Sequence, residues 1–195
     1  MMKSAEEIIR THLKNNQGYL HTKELQRNSR LYSALKQLVS SGEVIKVKSG
    51  LYKSELFSSK DELQELCQMY PDGIICLYSA WSYYELSTDI PAFHCMAFPN
   101  KSKIKIQNYP PIKAYFWSDK FYELEVIEKD GIKIYRLEKS ICDAIKFRNK
   151  IGLNFMSTIL KNYFKRKDKN LDELFRIAKF MKIENLLREY LYLVQ

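Results

Sequence analysis

The feature that most constrains the fold is the order of elements in the first sixty residues. Ser4 and Glu7 have the spacing of a capping box, and apolar residues follow at helical intervals until Gln17-Gly18 ends the helix. A short extended link comes next, and Thr22 is predicted to cap a second, brief helix. The chain therefore begins with two helices joined by a short extended segment.

A third helix and a hairpin complete this region. Asn28 or Ser29 is predicted to cap a helix over Arg30–Ser41, which Gly42 ends. Residues 43–53 alternate in the manner of a β-hairpin around a Ser-Gly turn. Three helices followed by a hairpin are typical of a winged helix-turn-helix, a fold that often binds DNA.

The remainder of the chain predicts a second domain. A Ser58-Ser59 break separates residues 1–58 from residues 60–195, and Ser59 with Glu62 forms another capping-box pattern. Short strands are expected within about 93–136, with a hairpin turn at Lys129-Asp130-Gly131, and helices within about 138–193. The predicted fold class is α+β, with a winged helix-turn-helix followed by a mixed α/β domain whose C-terminal half is helical.

The third helix has an outward face suited to a DNA groove. Leu31, Ala34, Leu35 and Leu38 share one side of a helical wheel, and the opposite side carries hydroxyls, an amide and cations but no acid. The predicted DNA contacts are Ser29, Arg30, Ser33, Lys36 and Gln37 on this helix and Lys46, Lys48 and Lys53 on the hairpin. The alternative is an ordinary solvated helix face, with hairpin lysines that only prevent strand pairing, or a winged helix that docks protein.

The overall charge favours an anionic partner. Thirty-two Lys and Arg outnumber 23 Asp and Glu, which gives a net charge of +9. No apolar run approaches the length of a membrane span, no signal-peptide pattern is found, and the four cysteines form no CxxC pair. A cytoplasmic protein with buried thiols and no membrane partner is expected.

A second concentration of positive charge lies towards the C-terminus. The cations in this stretch are Lys146, Arg148, Lys150, Lys161, Lys165, Arg166, Lys167 and Lys169. They could extend a DNA footprint, or hold RNA by charge while Tyr163-Phe164 stacks on bases. They could equally be a solvated loop between two amphipathic helices.

The sequence contains no recognisable catalytic set. No Asp or Glu is followed two positions later by Lys, and neither a phosphate-binding glycine loop nor a nucleophile elbow is present. No enzyme activity, cofactor or metal site is expected. Glu138 and Asp143 are open to two interpretations. They could compensate helix charge and form a salt bridge to Arg136 or Arg148, or they could face a toxin or substrate.

Several segments together resemble a known family. The run Leu35-x-x-Leu38…Gly42-x-Val44-Ile45-Lys46-Val47…Gly50-Leu51-Tyr52 resembles the N-terminal winged helix of the AbiEi antitoxins of bacterial abortive-infection, type IV toxin–antitoxin systems. Residues 79–86, Phe93–Pro99 and Ile132–Asp143 resemble later segments of that family.

The resemblance implies a protein with two functions. Its N-terminal part would bind inverted repeats in double-stranded promoter DNA and repress its own operon. Its C-terminal part would counteract a nucleotidyltransferase-type toxin without a stable complex, as a phage-resistance device. A plain transcriptional regulator with a ligand- or protein-binding second domain is the alternative, and an RNA-binding accessory protein is a third hypothesis.

Overall fold

The chain is an α+β protein that divides into two compact units. A computed structural model describes residues 3–56, 62–88 and 92–194. The first unit is Met1–Pro71 and the second is Asp72–Gln195. The predicted boundary at residues 58–60 lies outside the described residues, and the helix that follows it belongs to the first unit.

Three α-helices of unit 1 begin close to the predicted positions. Helix α1 (Ala5–Asn15) starts at the predicted capping box, with both of its reciprocal hydrogen bonds formed. Helix α2 (Ser29–Ser40) is capped by Asn28, whose side chain accepts hydrogen bonds from two backbone amides. Helix α3 is Glu62–Met69, and its predicted cap lies outside the described residues.

The brief second helix differs from its prediction in one detail. It is a 3-10 helix, Thr22–Leu25, so Thr22 is its first residue, and the capping position is His21, which makes no side-chain cap. The prediction that Thr22 caps this helix was wrong.

Three short strands form an antiparallel sheet in unit 1. Strand β1 (Tyr19–His21) and strand β2 (Val44–Lys48) both pair with β3 (Leu51–Ser54), which lies between them. Gly50 turns β2 into β3 with a φ of +80°, and a Cβ atom there would lie 3.3 Å from Thr22 Oγ1. The predicted hairpin is confirmed.

The core of unit 1 explains why this order of elements holds together. Ile9 and Leu13 of α1 pack against Leu35 and Leu38 of α2, and all four side chains are buried. Burial of each such side chain stabilises the fold by about 1.5–3 kcal/mol. The polar residues of α2 are therefore left on the side that faces away from this core.

Unit 2 is built on a five-stranded mixed sheet. Its strands are β4 (Ile74–Ile75), β5 (His94–Pro99), β6 (Ile112–Trp117), β7 (Val126–Lys129) and β8 (Ile132–Tyr135). Their order across the sheet is β6-β5-β4-β8-β7. The β5–β6 and β4–β8 pairs are parallel, and the other two pairs are antiparallel. Asp130 and Gly131 both have positive φ, as the predicted β7–β8 hairpin requires.

Seven helices of the described part of the chain complete unit 2. They are α4 (Leu77–Tyr83), α5 (Asp119–Tyr122), α6 (Leu137–Lys146), α7 (Arg148–Ile151), α8 (Leu153–Lys165), α9 (Leu171–Phe180) and α10 (Glu184–Val194). Helix α6 is central to unit 2, because its nine residues 137–145 are all buried. None of the described helices is long and apolar enough to cross a membrane.

Candidate nucleic-acid interface

The outward face of α2 is exposed as predicted. Arg30, Lys36 and Gln37 are exposed, as are the hydroxyl residues Ser29 and Ser33. The side chains of Lys36 and Gln37 make no hydrogen bond or ion pair with any other described residue. The polar groups of this face are therefore available to an external ligand.

Sequence reasoning missed a cation just before this helix. Arg27 is exposed and has a φ of +59°, directly ahead of the Asn28 cap. It lies next to the positive end of the helix dipole, where phosphate groups bind favourably. Gln26 also has positive φ, and two consecutive left-handed non-glycine residues leave no signal in the hydrophobic pattern.

The one acid between Ser29 and Lys53 is neutralised by an ion pair. Arg10 of α1 donates two hydrogen bonds to the Glu43 carboxylate, at 2.6 and 2.9 Å. This bidentate contact lowers the pKa of Glu43 and raises that of Arg10. Because Glu43 already has its counter-ion, it does not offset the charge of Arg30, Lys36 or Lys46.

Only one of the three predicted hairpin lysines is free to contact phosphate. Lys46 is exposed and has no partner among the described residues. Lys53 forms a 2.7 Å ion pair with Glu65 of α3, and Lys48 donates to the backbone carbonyl of Met69. Burial lowers the pKa of Lys48, which also lies 4.9 Å from the centre of the Tyr70 ring.

The prediction for Lys48 and Lys53 is therefore corrected. Their side chains hold α3 against the three-stranded sheet, with help from Tyr19, whose hydroxyl donates to Glu65 at 3.2 Å. Each would have to leave a protein partner before it could reach a phosphate. The hairpin pattern could not show this, because α3 lies beyond the hairpin in sequence.

The second basic stretch does not form one surface. Lys146 and Lys150 precede helix α8, whereas Lys165–Lys169 lie at its end. At 1.5 Å per residue, the thirteen residues of α8 separate these two groups by about 20 Å. Lys161 is exposed between them on the same helix.

Several cations of this stretch already have protein partners. Arg166 donates to both oxygens of Asp168 at 2.8 Å and to the carbonyl of Tyr84 at 2.6 Å. Lys169 donates to the carbonyl of Arg166, and Arg148 donates to that of Ile145. Lys165 and Lys167 are exposed without a partner among the described residues. Helix α8 thus divides the stretch, and three of its eight cations, Arg148, Arg166 and Lys169, are already held by protein groups.

The predicted aromatic stacking at Tyr163-Phe164 is wrong for Tyr163. This side chain is fully buried, and its hydroxyl is 3.2 Å from both the Glu138 carboxylate and the Asn170 carbonyl. Phe164 packs against the same core. A base could not stack on Tyr163 without opening the core.

Glu138 and Asp143 have structural roles. Asp143 is fully buried and pairs with Lys139 at 2.7 and 2.8 Å, rather than with Arg136 or Arg148 as predicted. Glu138 is buried and accepts a backbone hydrogen bond from Asn170 that fixes the start of α9. The hypothesis that Asp143 faces a toxin or substrate is wrong, because none of its surface is accessible.

A polar cleft of about 630 Å³ lies on unit 2, near Arg166. Its charged lining residues are Glu85, Lys129, Arg136, Glu138, Arg166 and Asp168. Three cations and three acids balance, so the cleft has no preference for an anion. Among the described residues no group of three or more His, Cys, Asp or Glu could hold a metal ion.

Comparison with protein-family models and with curated proteins found no match to this chain. The exposed face of α2 is the best-defined candidate interface in unit 1.

Proposed function

We propose that unit 1 is a winged helix that binds double-stranded DNA, with α2 as the recognition helix. The single observation that carries this proposal is the two-sided character of α2. Its apolar side closes the core of unit 1, and its other side presents unpaired cations, an amide and hydroxyls without an acid. Small hydroxyl residues allow close approach to a major groove, where Arg and Gln can address base edges.

The rest of unit 1 fits this orientation. The β2–β3 hairpin follows α2 directly and carries the exposed Lys46. Arg27 stands before α2 at the opposite end. In winged-helix proteins phosphate contacts at such flanking positions set the orientation of the helix in the groove, while side chains on the helix select the sequence.

We further propose that the chain acts as an antitoxin that represses its own operon. This step rests on the resemblance to the AbiEi antitoxins, which places autorepression in the winged helix and neutralisation of a nucleotidyltransferase-type toxin in the second part. A regulator without a toxin partner shares the first property but not the second. Co-expression of the full chain with the adjacent gene, scored as rescue of growth, separates these two functions.

The DNA-binding proposal is tested with the full chain and its own upstream DNA. A protected inverted repeat is first mapped by footprinting, and its affinity is then measured for Arg30→Ala and Lys36→Ala variants. Loss of a base contact should weaken binding by about 1–3 kcal/mol, or about five- to 150-fold. Neither side chain lies in the core, so both variants should keep the native circular dichroism spectrum.

Lys14→Ala is the matched control. Lys14 is an exposed cation on α1, so this variant removes the same net charge without touching α2. We expect it to bind the mapped repeat like the wild type. Equal losses in Lys14→Ala and Lys36→Ala would show a general charge effect, and unchanged binding in both α2 variants would refute the assignment of α2.

A further inference from the structure

A second cleft of unit 2 has a lining quite unlike that of the polar cleft. We call it the aromatic–lysine cleft. It encloses about 480 Å³, which lies within the size range of small-molecule sites, roughly 300–1,000 Å³. Its principal side chains come from strand β6 and helices α5 to α7. They are Tyr115, Trp117, Phe121, Lys146, Phe147 and Lys150.

The aromatic rings form walls around Phe147. Its ring centre is 5.4 Å from that of Trp117 at an interplanar angle of 60°, and 6.4 Å from that of Tyr115 at 74°. Trp117 is only 6% exposed, whereas Tyr115, Phe121 and Phe147 are half-buried and keep accessible surface. A flat aromatic ligand can pack against such rings in edge or offset geometry.

The two lysines of the cleft have rings as neighbours but no counter-ion. The ammonium of Lys146 lies 3.8 Å from the centre of Phe121 and 5.8 Å from that of Trp117, and that of Lys150 lies 5.6 Å from Phe147. Neither ammonium donates a hydrogen bond to another described residue. The residues that line the cleft include no acid.

The surroundings of Lys146 favour an anion in the cleft. Partial burial removes part of its hydration and lowers its pKa, and the charges of Lys139 and Lys120 act in the same direction. Among the described residues, the acid that acts on Lys146 is Asp143, which is already paired with Lys139 inside the core. A bound anion would supply the counter-charge that the protein does not provide.

We propose that the aromatic–lysine cleft binds a nucleobase that carries a phosphate group. The base packs against the half-buried rings of Phe147 and Phe121, close to Trp117, and the phosphate accepts hydrogen bonds from Lys146 and Lys150. Base stacking on aromatic side chains combined with cations for the phosphate is the usual way in which proteins hold single nucleotides of a strand. An acidic peptide would use the lysines but not the rings.

The ligand can come from two sources that share this chemistry. One is a free nucleotide, and the other is a nucleotide within single-stranded nucleic acid. The proposal concerns unit 2 and does not rest on DNA binding by α2 in unit 1. Its failure would leave the proposed function of unit 1 untouched, and the reverse also holds.

Tryptophan fluorescence of the full chain provides the measurement. Trp117 lines the cleft, whereas the only other tryptophan, Trp81, is fully buried and donates to the carbonyl of Ser140. The probes are AMP, UMP, a five-residue oligothymidylate, adenosine and inorganic phosphate. We expect saturable quenching by the nucleotides or the oligonucleotide, and responses at least tenfold weaker to adenosine and to phosphate alone.

Substitutions of the two cleft lysines test whether the ligand binds in this cleft. Lys150→Gln removes an exposed charge from the cleft, and Lys146→Gln removes the half-buried one; each should weaken binding about tenfold or more. Lys165→Gln is the matched control at the far end of α8 and should leave affinity unchanged. Thermal unfolding checks that each variant is folded, and Lys150→Gln tests the site even if Lys146→Gln does not fold.

Each possible result of these titrations either supports or overturns the proposal. Tighter binding of AMP or UMP identifies a free nucleotide as the ligand, and tighter binding of the oligonucleotide identifies a strand; both support the proposal. Absence of quenching by every probe at millimolar concentration overturns it. An equal response to phosphate alone, or equal losses in Lys165→Gln and Lys150→Gln, also overturns it.

Discussion

Replacement of Asp143 by Asn should destabilise unit 2 far more than an ordinary surface substitution. In the wild type its carboxylate receives two hydrogen bonds from the ammonium of Lys139, and neither side chain has any accessible surface. That ammonium also lies 4.0 Å from the centre of the Tyr135 ring and 4.2 Å from that of Trp117. The amide of Asn keeps the size of the side chain but removes the counter-charge.

The expected magnitude follows from the burial of the pair. Removal of one partner from a buried ion pair leaves an uncompensated charge and costs about 3–5 kcal/mol. The two nearby rings reduce this cost through cation–π attraction, by about 2 kcal/mol for a desolvated cation. We therefore expect Asp143→Asn to lose roughly 1–3 kcal/mol of unfolding free energy, combining these two effects.

Glu184→Gln is the matched control. Glu184 and Arg188 of α10 form a 2.8 Å ion pair with the same i, i+4 spacing, but their side chains are 31% and 58% exposed. Exposed pairs contribute about 0–1 kcal/mol. The control therefore differs from the buried pair mainly in its access to water, and its loss should stay below about 1 kcal/mol.

Urea denaturation followed by tryptophan fluorescence measures these losses. Both tryptophans, Trp81 and Trp117, lie in unit 2, so the signal reports this unit even if unit 1 unfolds separately. Stabilities are compared by linear extrapolation. The double variant Lys139→Met/Asp143→Leu should be about as stable as the wild type, because it leaves no buried charge. Equal losses in Asp143→Asn and Glu184→Gln would refute this reasoning.

Two further predictions follow from contacts in the two units. Lys46→Ala should weaken binding to all DNA sequences and reduce the salt slope by about one unit, whereas Lys48→Ala should leave the slope unchanged; equal slopes in both variants would contradict the pairing of Lys48 with α3. Burial raises the pKa of the Cys76, Cys95 and Cys142 thiols, so these should resist alkylation at pH 8 until the protein unfolds. Their labelling at the rate of a free thiol, measured by mass spectrometry, would show that unit 2 opens.

Local signals in the sequence predicted several elements correctly. Asn28 was identified as one of two capping candidates because its side chain can accept hydrogen bonds from the first amides of α2. The turn at Asp130-Gly131 was predicted from residues that tolerate positive φ. Both signals lie within a few residues of the feature that they determine, so no information about distant parts of the chain is needed.

Features that depend on distant residues escaped prediction. Strand β4 has only two residues, too few to show an alternating pattern, yet it pairs with both β5 and β8. Lys139 was overlooked because lysine is rarely buried, and only the fold shows that Asp143 and two rings enclose it.

The candidate sites show the same division between local and distant information. The outward face of α2 could be predicted, because its members recur on one helix with a fixed period. The aromatic–lysine cleft could not, because Trp117 and Phe147 are thirty positions apart in sequence and meet only when β6 packs near the end of α6. The basic stretch from Lys146 was noticed as charge, but its subdivision by α8 required the structure.

The two proposals assign different kinds of nucleic acid to the two units. Residues 1–71 carry 11 Lys and Arg against 8 Asp and Glu, a net charge of +3, and residues 72–195 carry 21 against 15, a net charge of +6. In unit 1 the Glu43 carboxylate is paired with Arg10 and the α2 face itself carries no acid, while Glu6 of α1 interacts with Arg30. Such a face gains selectivity from its amide and hydroxyl groups rather than from charge alone. In unit 2 the proposed nucleotide cleft combines lysines with aromatic rings, which would contact an unstacked base and not one inside a duplex. Unit 1 would therefore read double-stranded DNA, and unit 2 would recognise a single nucleotide or an unpaired strand.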